Sequence, residues 1–184
     1  MSGFTETSHK RPTWDDTWMQ VARVVALRSL CERDKVGAVV VSKSNRLLET
    51  GYNGPPSGFV TDGVGCSSWC SRAMCSTGPY FDGSNPDLPR RPVLAPDYSD
   101  CPSLHAEANA LMRGDRSARE GGTIYVTSGV CFGCAKLIAN SGLEQVVVDA
   151  RTLIPPNTHK HRHADKSYEF LESCGITVIT DVTR

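Results

Sequence analysis

His105-Ala106-Glu107-Ala108-Asn109, answered further along the chain by Cys131-Phe132-Gly133-Cys134, is the pair of segments around which the rest is arranged. One imidazole and two thiolates make three protein ligands for zinc, which leaves the fourth tetrahedral position to water. That is the plan of a catalytic site; a structural site closes all four positions with protein. Glu107, two residues from His105, can carry protons without being a ligand. Both segments fall at expected helix N-termini, where free N–H groups and the helix dipole favour thiolate over thiol. A structural zinc knuckle would want a fourth ligand paired with this cluster, and none is. A redox Cys-x-x-Cys would have no use for His-x-Glu on a second helix.

Outward from these segments the chain reads as alternating elements. Thr13 can cap a helix that carries Asp15 and Asp16 in its first turn. Trp18, Val21, Ala22, Val25, Ala26 and Leu30 then fall on one face at helical spacing. Val36 to Val41 and Leu47 to Tyr52 form an antiparallel hairpin turned at Ser44-Asn45. His105 to Arg113 is a short helix stopped at Gly114, and Thr123 to Thr127 is a strand. Cys134 to Ser141 is a helix closed by Gly142, and Gln145 to Val148 is a strand. A helix from about Ala164 to Ser173 and a strand from Ile176 to Ile179 complete the order α-β-β-α-β-α-β-α-β. The fold class expected is α/β: a three-layer α/β/α sandwich with one central mixed five-stranded sheet. Residues 1–12 read as a flexible tail and 13–184 as a single domain with a Cys-rich insert at about 54–102.

Composition narrows the function classes. The chain has 184 residues, 39% hydrophobic and 22% charged, with a formal net charge of +0. No strongly basic footprint for nucleic acid is present. Met1 to Arg11 lacks the apolar core of a signal peptide, and no stretch approaches the roughly 18 apolar residues of a membrane span. A cytoplasmic location is expected. Eight cysteines then point to metal before disulfides. Cys66, Cys70, Cys75 and Cys101 make four possible thiolate ligands for a second, structural zinc, with free buried thiols as the alternative. Such a staple would give fixed shape to a segment rich in Gly, Pro, Ser and Asp. The tract His159-Lys160-His161-Arg162-His163 reads as an exposed basic loop, with a phosphate contact as the sharper option.

The motifs His-x-Glu and Cys-x-x-Cys, with Arg11-Pro12-Thr13-Trp14-Asp15, Cys31 to Val41, and Gly51-Tyr52-Asn53-Gly54-Pro55-Pro56-Ser57-Gly58, resemble the deoxycytidylate deaminases of the cytidine-deaminase-like fold. The likeness runs from Arg11 to about Val182. It implies zinc held by His105, Cys131 and Cys134, with Glu107 moving protons during hydrolytic deamination. It further implies a pyrimidine nucleotide lying over Val36, Gly37 and Ala38 and beside Ala106, with Asn53 on the sugar. A homo-oligomer, commonly a hexamer, and control by dCTP and dTTP with Mg2+ through Gly51, Tyr52, Asn53 and Gly54 belong to the same resemblance. Two departures stand out: Val130 where the family has proline, and a long insert from Ser76 to Asp100.

The leading expectation is therefore conversion of dCMP to dUMP in support of thymidine nucleotide synthesis. A deaminase of a 5-modified cytosine nucleotide is the near alternative, prompted by Val130. A polynucleotide deaminase would need an electropositive track that zero net charge argues against. A non-catalytic zinc regulatory protein would gain little from Glu107.

Overall fold

Thr13 opens the first element. Its hydroxyl accepts the Asp16 N–H at 3.1 Å, and the Asp16 carboxylate accepts the Thr13 N–H at 3.1 Å, a capping box that satisfies two end donors at once. Helix α1 spans Trp14–Ala26 and buries Met19, Ala22 and Ala26. Leu30, expected on the same face, lies beyond the helix end and is 54% exposed. The chain tightens there through Arg28 N–H to Val25 C=O and Ser29 N–H to Ala26 C=O. Ser29 is buried in place of Leu30, donating its hydroxyl to the Asn53 carbonyl at 2.8 Å.

The computed structural model describes residues 11–31, 34–57, 101–149 and 159–180. Strands β1 (Gly37–Val41) and β2 (Leu47–Tyr52) form the antiparallel hairpin, with Asn45 at φ 59° in its turn, a conformation asparagine tolerates. Helix α2 (Ala106–Arg113) follows, then a one-turn helix α3 (Arg116–Arg119), capped by Asp115 accepting the Ser117 N–H at 3.0 Å. That turn is too short to leave a periodic trace, and sequence reasoning missed it. Strand β3 (Thr123–Val126), helix α4 (Phe132–Ala139), strand β4 (Gln145–Val148), helix α5 (His159–Ser173) and strand β5 (Thr177–Ile179) complete the order.

The five-stranded sheet runs β2-β1-β3-β4-β5, antiparallel across β2-β1-β3 and parallel across β3-β4-β5. It is the mixed sheet expected. Alternation along β1 sends Val39 and Val41 to α1 with Met19 and Tyr125, and Ala38 and Val40 to the opposite face. That opposite face is covered by Ala106 and Ala110 of α2, Ala135 and Ile138 of α4, and Leu171 of α5. Three layers result.

Several element boundaries differ from expectation by a residue or more, and two helix starts differ most. Helix α4 starts at Phe132, because Cys131 serves as its cap. Helix α5 starts at His159, so the basic tract is helical and not a loop. No helix breaker lies between Pro156 and Ala164 to delay its start.

Helix α2 is set on the sheet at one point of very close approach. A Cβ on Gly51 would lie 2.2 Å from the Ala106 carbonyl oxygen and 2.5 Å from the Ala110 nitrogen, so only glycine fits. On the other face, a Cβ on Gly37 would lie 2.0 Å from the Ala22 carbonyl oxygen of α1. Arg119 ties the far ends together, donating to the carbonyls of Leu111 (2.7 Å), Gly114 (3.2 Å) and Ser141 (3.2 Å). These carbonyls lie in the last turn of α2, at its cap and just past α4, where helix ends leave unmatched acceptors. Gly51→Ala forces backbone to move and is expected to lower unfolding free energy by about 3 kcal/mol in urea titration.

Candidate functional site

The start of α2 is held from below. Gly54 and Leu104 exchange both backbone hydrogen bonds (3.1 and 2.9 Å), which returns the chain to the end of β2 immediately before His105. Asn109, one turn into α2, donates to the Tyr52 carbonyl at 2.8 Å. His105 is the N-cap residue, with extended φ −70° and ψ 153°, and its ring makes no capping bond. The imidazole is therefore free for another task. Glu107, two residues on, is buried at 3% exposure.

Cys131 caps α4 in the same conformation, φ −76° and ψ 161°, and its Sγ accepts the Cys134 N–H at 3.4 Å. The two helix starts meet. His105 Nδ1 lies 3.4 Å from Cys131 Sγ and 3.5 Å from Cys134 Sγ. All three donor atoms fall within 4.8 Å of one another. Zinc–nitrogen and zinc–sulfur bonds of about 2.05 and 2.3 Å at tetrahedral angles give an N···S edge of about 3.6 Å, so the residues fit the ion. The cluster brings together the three ligands expected from sequence, with Glu107 beside them.

Without metal, the cluster stores protons in a definite pattern. The Cys131 thiol is brought down to about 4, chiefly by hydrogen bonding with Cys134 and also with His105. Cys131 in turn raises His105 to about 9, against the lowering effect of burial. Cys134 is pushed up by its bond with Cys131 and by burial. Burial raises the Glu107 carboxyl, opposed by its hydrogen bond to backbone and by the His105 charge. A carboxyl tuned upward in this way suits a group that both accepts and returns a proton.

The other residues singled out from sequence fall into place as follows. Ala38 and Ala106 are buried in the core on the cluster's side of the sheet, and Val36 packs against that core. Gly37 faces α1 on the opposite side, and its N–H donates to the buried Thr127 hydroxyl at 2.9 Å. Asn53 is a clamp: its Oδ1 accepts the Val36 N–H and its Nδ2 donates to the Asp34 carbonyl, both at 2.8 Å. One amide hydrogen and one lone pair remain uncommitted by these two bonds. Gly51 and Gly54 are buried, with Tyr52 between them lying over Gly54. Cys101 is a half-buried free thiol, while Cys66, Cys70 and Cys75 lie outside the described residues, as does the 76–100 insert. Thr127, Ser29, Asn109 and Tyr168 were not foreseen. The first three act through one hydroxyl or amide, and Tyr168 carries one buried hydroxyl, none of which leaves a spacing signal.

Comparison with known proteins adds an independent line. Residues 12–150 match the family described as the cytidine and deoxycytidylate deaminase zinc-binding region. A protein of Mycobacterium phage D29 named deoxycytidylate deaminase is 43% identical over 141 residues, covering 74% of this chain and 94% of its own. The deoxycytidylate deaminase of Enterobacteria phage T2 is 36% identical over 149 residues, covering 71% of this chain and 77% of that protein. Among solved structures, the dCMP deaminase of cyanophage S-TIM5 in complex with dCMP and dUMP superposes with a TM-score of 0.61 at 28% identity. That superposition covers 92% of this chain and 98% of that one.

At pH 7 both His105 and Cys134 hold protons that zinc must displace, while Cys131 is already a thiolate. Metal binding is therefore expected to release about two protons and to weaken as pH falls. Calorimetry in buffers of different ionisation enthalpy reads the proton count; release of none would overturn this picture of the cluster.

Proposed function

The chain belongs to the cytidine and deoxycytidylate deaminase family, and from that membership we propose that it hydrolyses dCMP to dUMP and ammonia. The observation that carries the reading is the meeting of His105 Nδ1, Cys131 Sγ and Cys134 Sγ at tetrahedral edge lengths beside the buried Glu107. The phage relatives and the structure holding dCMP and dUMP support the substrate.

His105, Cys131 and Cys134 would hold zinc, which when bound supplies a Lewis acid that brings the pKa of water down to about 7. Glu107 takes one proton of the attacking water and passes it to the ring nitrogen beside the amine-bearing carbon, then takes the second proton from the added hydroxyl and delivers it to the departing amine. One water is consumed, one ammonia leaves, and a carbonyl replaces the amine. Glu107 suits this shuttle because burial keeps its carboxyl from being a permanently ionised group. Val36, Gly37, Ala38 and Ala106 are proposed to line the base, with Ala38 and Ala106 on the cluster's side of the sheet and Gly37 contributing backbone only. Asn53 would meet the sugar with the hydrogen and lone pair its clamp leaves over.

The same proposal extends to assembly and control. A homo-oligomer is supported by Val24 on α1 and Leu27 at its C-cap, 66% and 71% exposed, and a hexamer is the size expected. Control by dCTP and dTTP with Mg2+ at Gly51, Tyr52, Asn53 and Gly54 is supported by the position of these residues, joined to the start of α2 through the Gly54–Leu104 bridge. A second zinc at Cys66, Cys70, Cys75 and Cys101 is supported by the free, half-buried Cys101 three residues before Leu104. Among the described residues no helix is long and apolar enough to cross a membrane.

Ammonia release measured on dCMP, CMP, deoxycytidine and 5-methyl-dCMP tests the function. Turnover is expected on dCMP, and Glu107→Gln should lower kcat by a factor of about 10²–10⁴ with zinc content unchanged. Silence on every substrate with zinc fully bound would sink the deaminase reading. Turnover confined to 5-methyl-dCMP would keep the chemistry and move the substrate, an outcome for which Val130 is the residue to change first.

Metal analysis of the purified chain tests the second site. Two zinc ions per chain are expected, falling to one in Cys101→Ser; one ion in both would remove the structural site from the proposal.

A further inference from the structure

Tyr168 lies on α5 with its ring packed against the core that carries α2 and α4. Its hydroxyl is buried and has no hydrogen-bond partner at proper geometry among the described residues. A buried phenol ordinarily finds a partner, so an orphan at this position asks for a reason.

The hydroxyl sits over Gly129-Val130, the two residues that lead into Cys131. A Cβ built on Gly129 would lie 3.6 Å from Tyr168 Oη and 3.7 Å from the Ala164 Cβ, so this segment is pressed against α5. Burial pushes the phenol up and the Val130 backbone acts against it from close by, with the Asp165 and Glu107 charges adding to the rise, yet the hydroxyl completes no hydrogen bond among the described residues. The Val130 side chain is anchored in the core. The peptide plane between Gly129 and Val130 is not anchored in the same way, because Gly129 brings no side chain to hold it. That peptide sets the direction from which the chain enters Cys131, whose extended φ and ψ aim its sulfur at His105.

We propose that Tyr168 is a positioning residue for the metal cluster: in the metal-loaded protein its buried hydroxyl, unpartnered otherwise, accepts the Val130 N–H, and this contact fixes the peptide that presents Cys131. The inference rests on the reading of His105, Cys131 and Cys134 as zinc ligands, and is independent of which nucleotide is the substrate. Tyr168 acts through Cys131 and touches no reacting atom. If the ring served packing alone, losing the hydroxyl would leave the metal untouched and would tend to stabilise the fold, since an unsatisfied buried group disappears.

The test compares wild type, Tyr168→Phe, Val130→Pro and the double variant, each loaded with zinc and separately with cobalt(II). Zinc affinity is read by competition with a chelator, cobalt by its visible absorption bands, and the fold by thermal melting. Tyr168→Phe should melt no lower than wild type yet bind zinc about tenfold more weakly with shifted cobalt bands. In the Val130→Pro background the donor is gone and proline itself fixes φ near −65°, so adding Tyr168→Phe should change neither readout. Unchanged metal binding in Tyr168→Phe would overturn the inference. Equal losses in both backgrounds would overturn it as well, because the hydroxyl would then act by some route other than the Val130 N–H. Failure of the wild type to bind zinc would sink the zinc reading, and this inference with it.

Discussion

The first turn of α2 rests directly on Gly51, with backbone against backbone and no side chain between them. This contact fixes the depth of α2 on the sheet, and with it the height of His105 and Glu107. Asn109 and the Gly54–Leu104 bridge then fix the helix along its axis. Because His105 is the cap and not part of the helix, its exposed ring and the buried Glu107 carboxyl leave the chain in different directions over only two residues. A longer spacing within the helix would put both groups on one face. The His-x-Glu motif is thus a statement about a helix boundary.

The electrostatics depend on the same boundary. Two helices present their positive ends to one another, an arrangement that invites negative charge between them. Cys131 supplies it as a thiolate, and its effect on neighbouring groups is opposite in sign. It favours the protonated His105, while it opposes ionisation of Cys134 and Glu107. Protons occupy the cluster in the arrangement that a cation would replace, since each ligand must be deprotonated to bind metal. Glu107 escapes that exchange because burial, and not a ligand bond, governs its carboxyl.

The sheet, its order of elements and the cluster of His105, Cys131 and Cys134 were legible because they rest on short-range patterns: a β-branched run, helical spacing, and two motifs with fixed offsets. What escaped detection rests on single atoms meeting across long separations. Gly37 was expected at the base from the family resemblance; the alternation of the strand turns the missing side chain's direction to the α1 face, so its backbone alone is available on the other side. Asn53 was expected on the sugar from the resemblance. The structure shows a clamp on residues 34 and 36 with half its bonding capacity left. The start of α5 was placed too late because alternating histidines and basic residues look like a solvated loop, although none of them breaks a helix. Tyr168 gave no signal, since one buried hydroxyl has no period.

The Gly54–Leu104 bridge has a consequence for how this sequence can carry so long a stretch between its hairpin and its metal motif. Closing a loop costs entropy that grows only with the logarithm of its length, so each doubling adds about 0.6 kcal/mol. Once the two ends are joined by a pair of backbone hydrogen bonds, the length of what lies between has little leverage on the position of His105. A substitution inside the bridge or at Gly51 acts on the cluster directly. His105, Cys131 and Cys134 stand at the starts of α2 and α4, and β2 sets α2, so the cluster takes its position from elements outside that stretch.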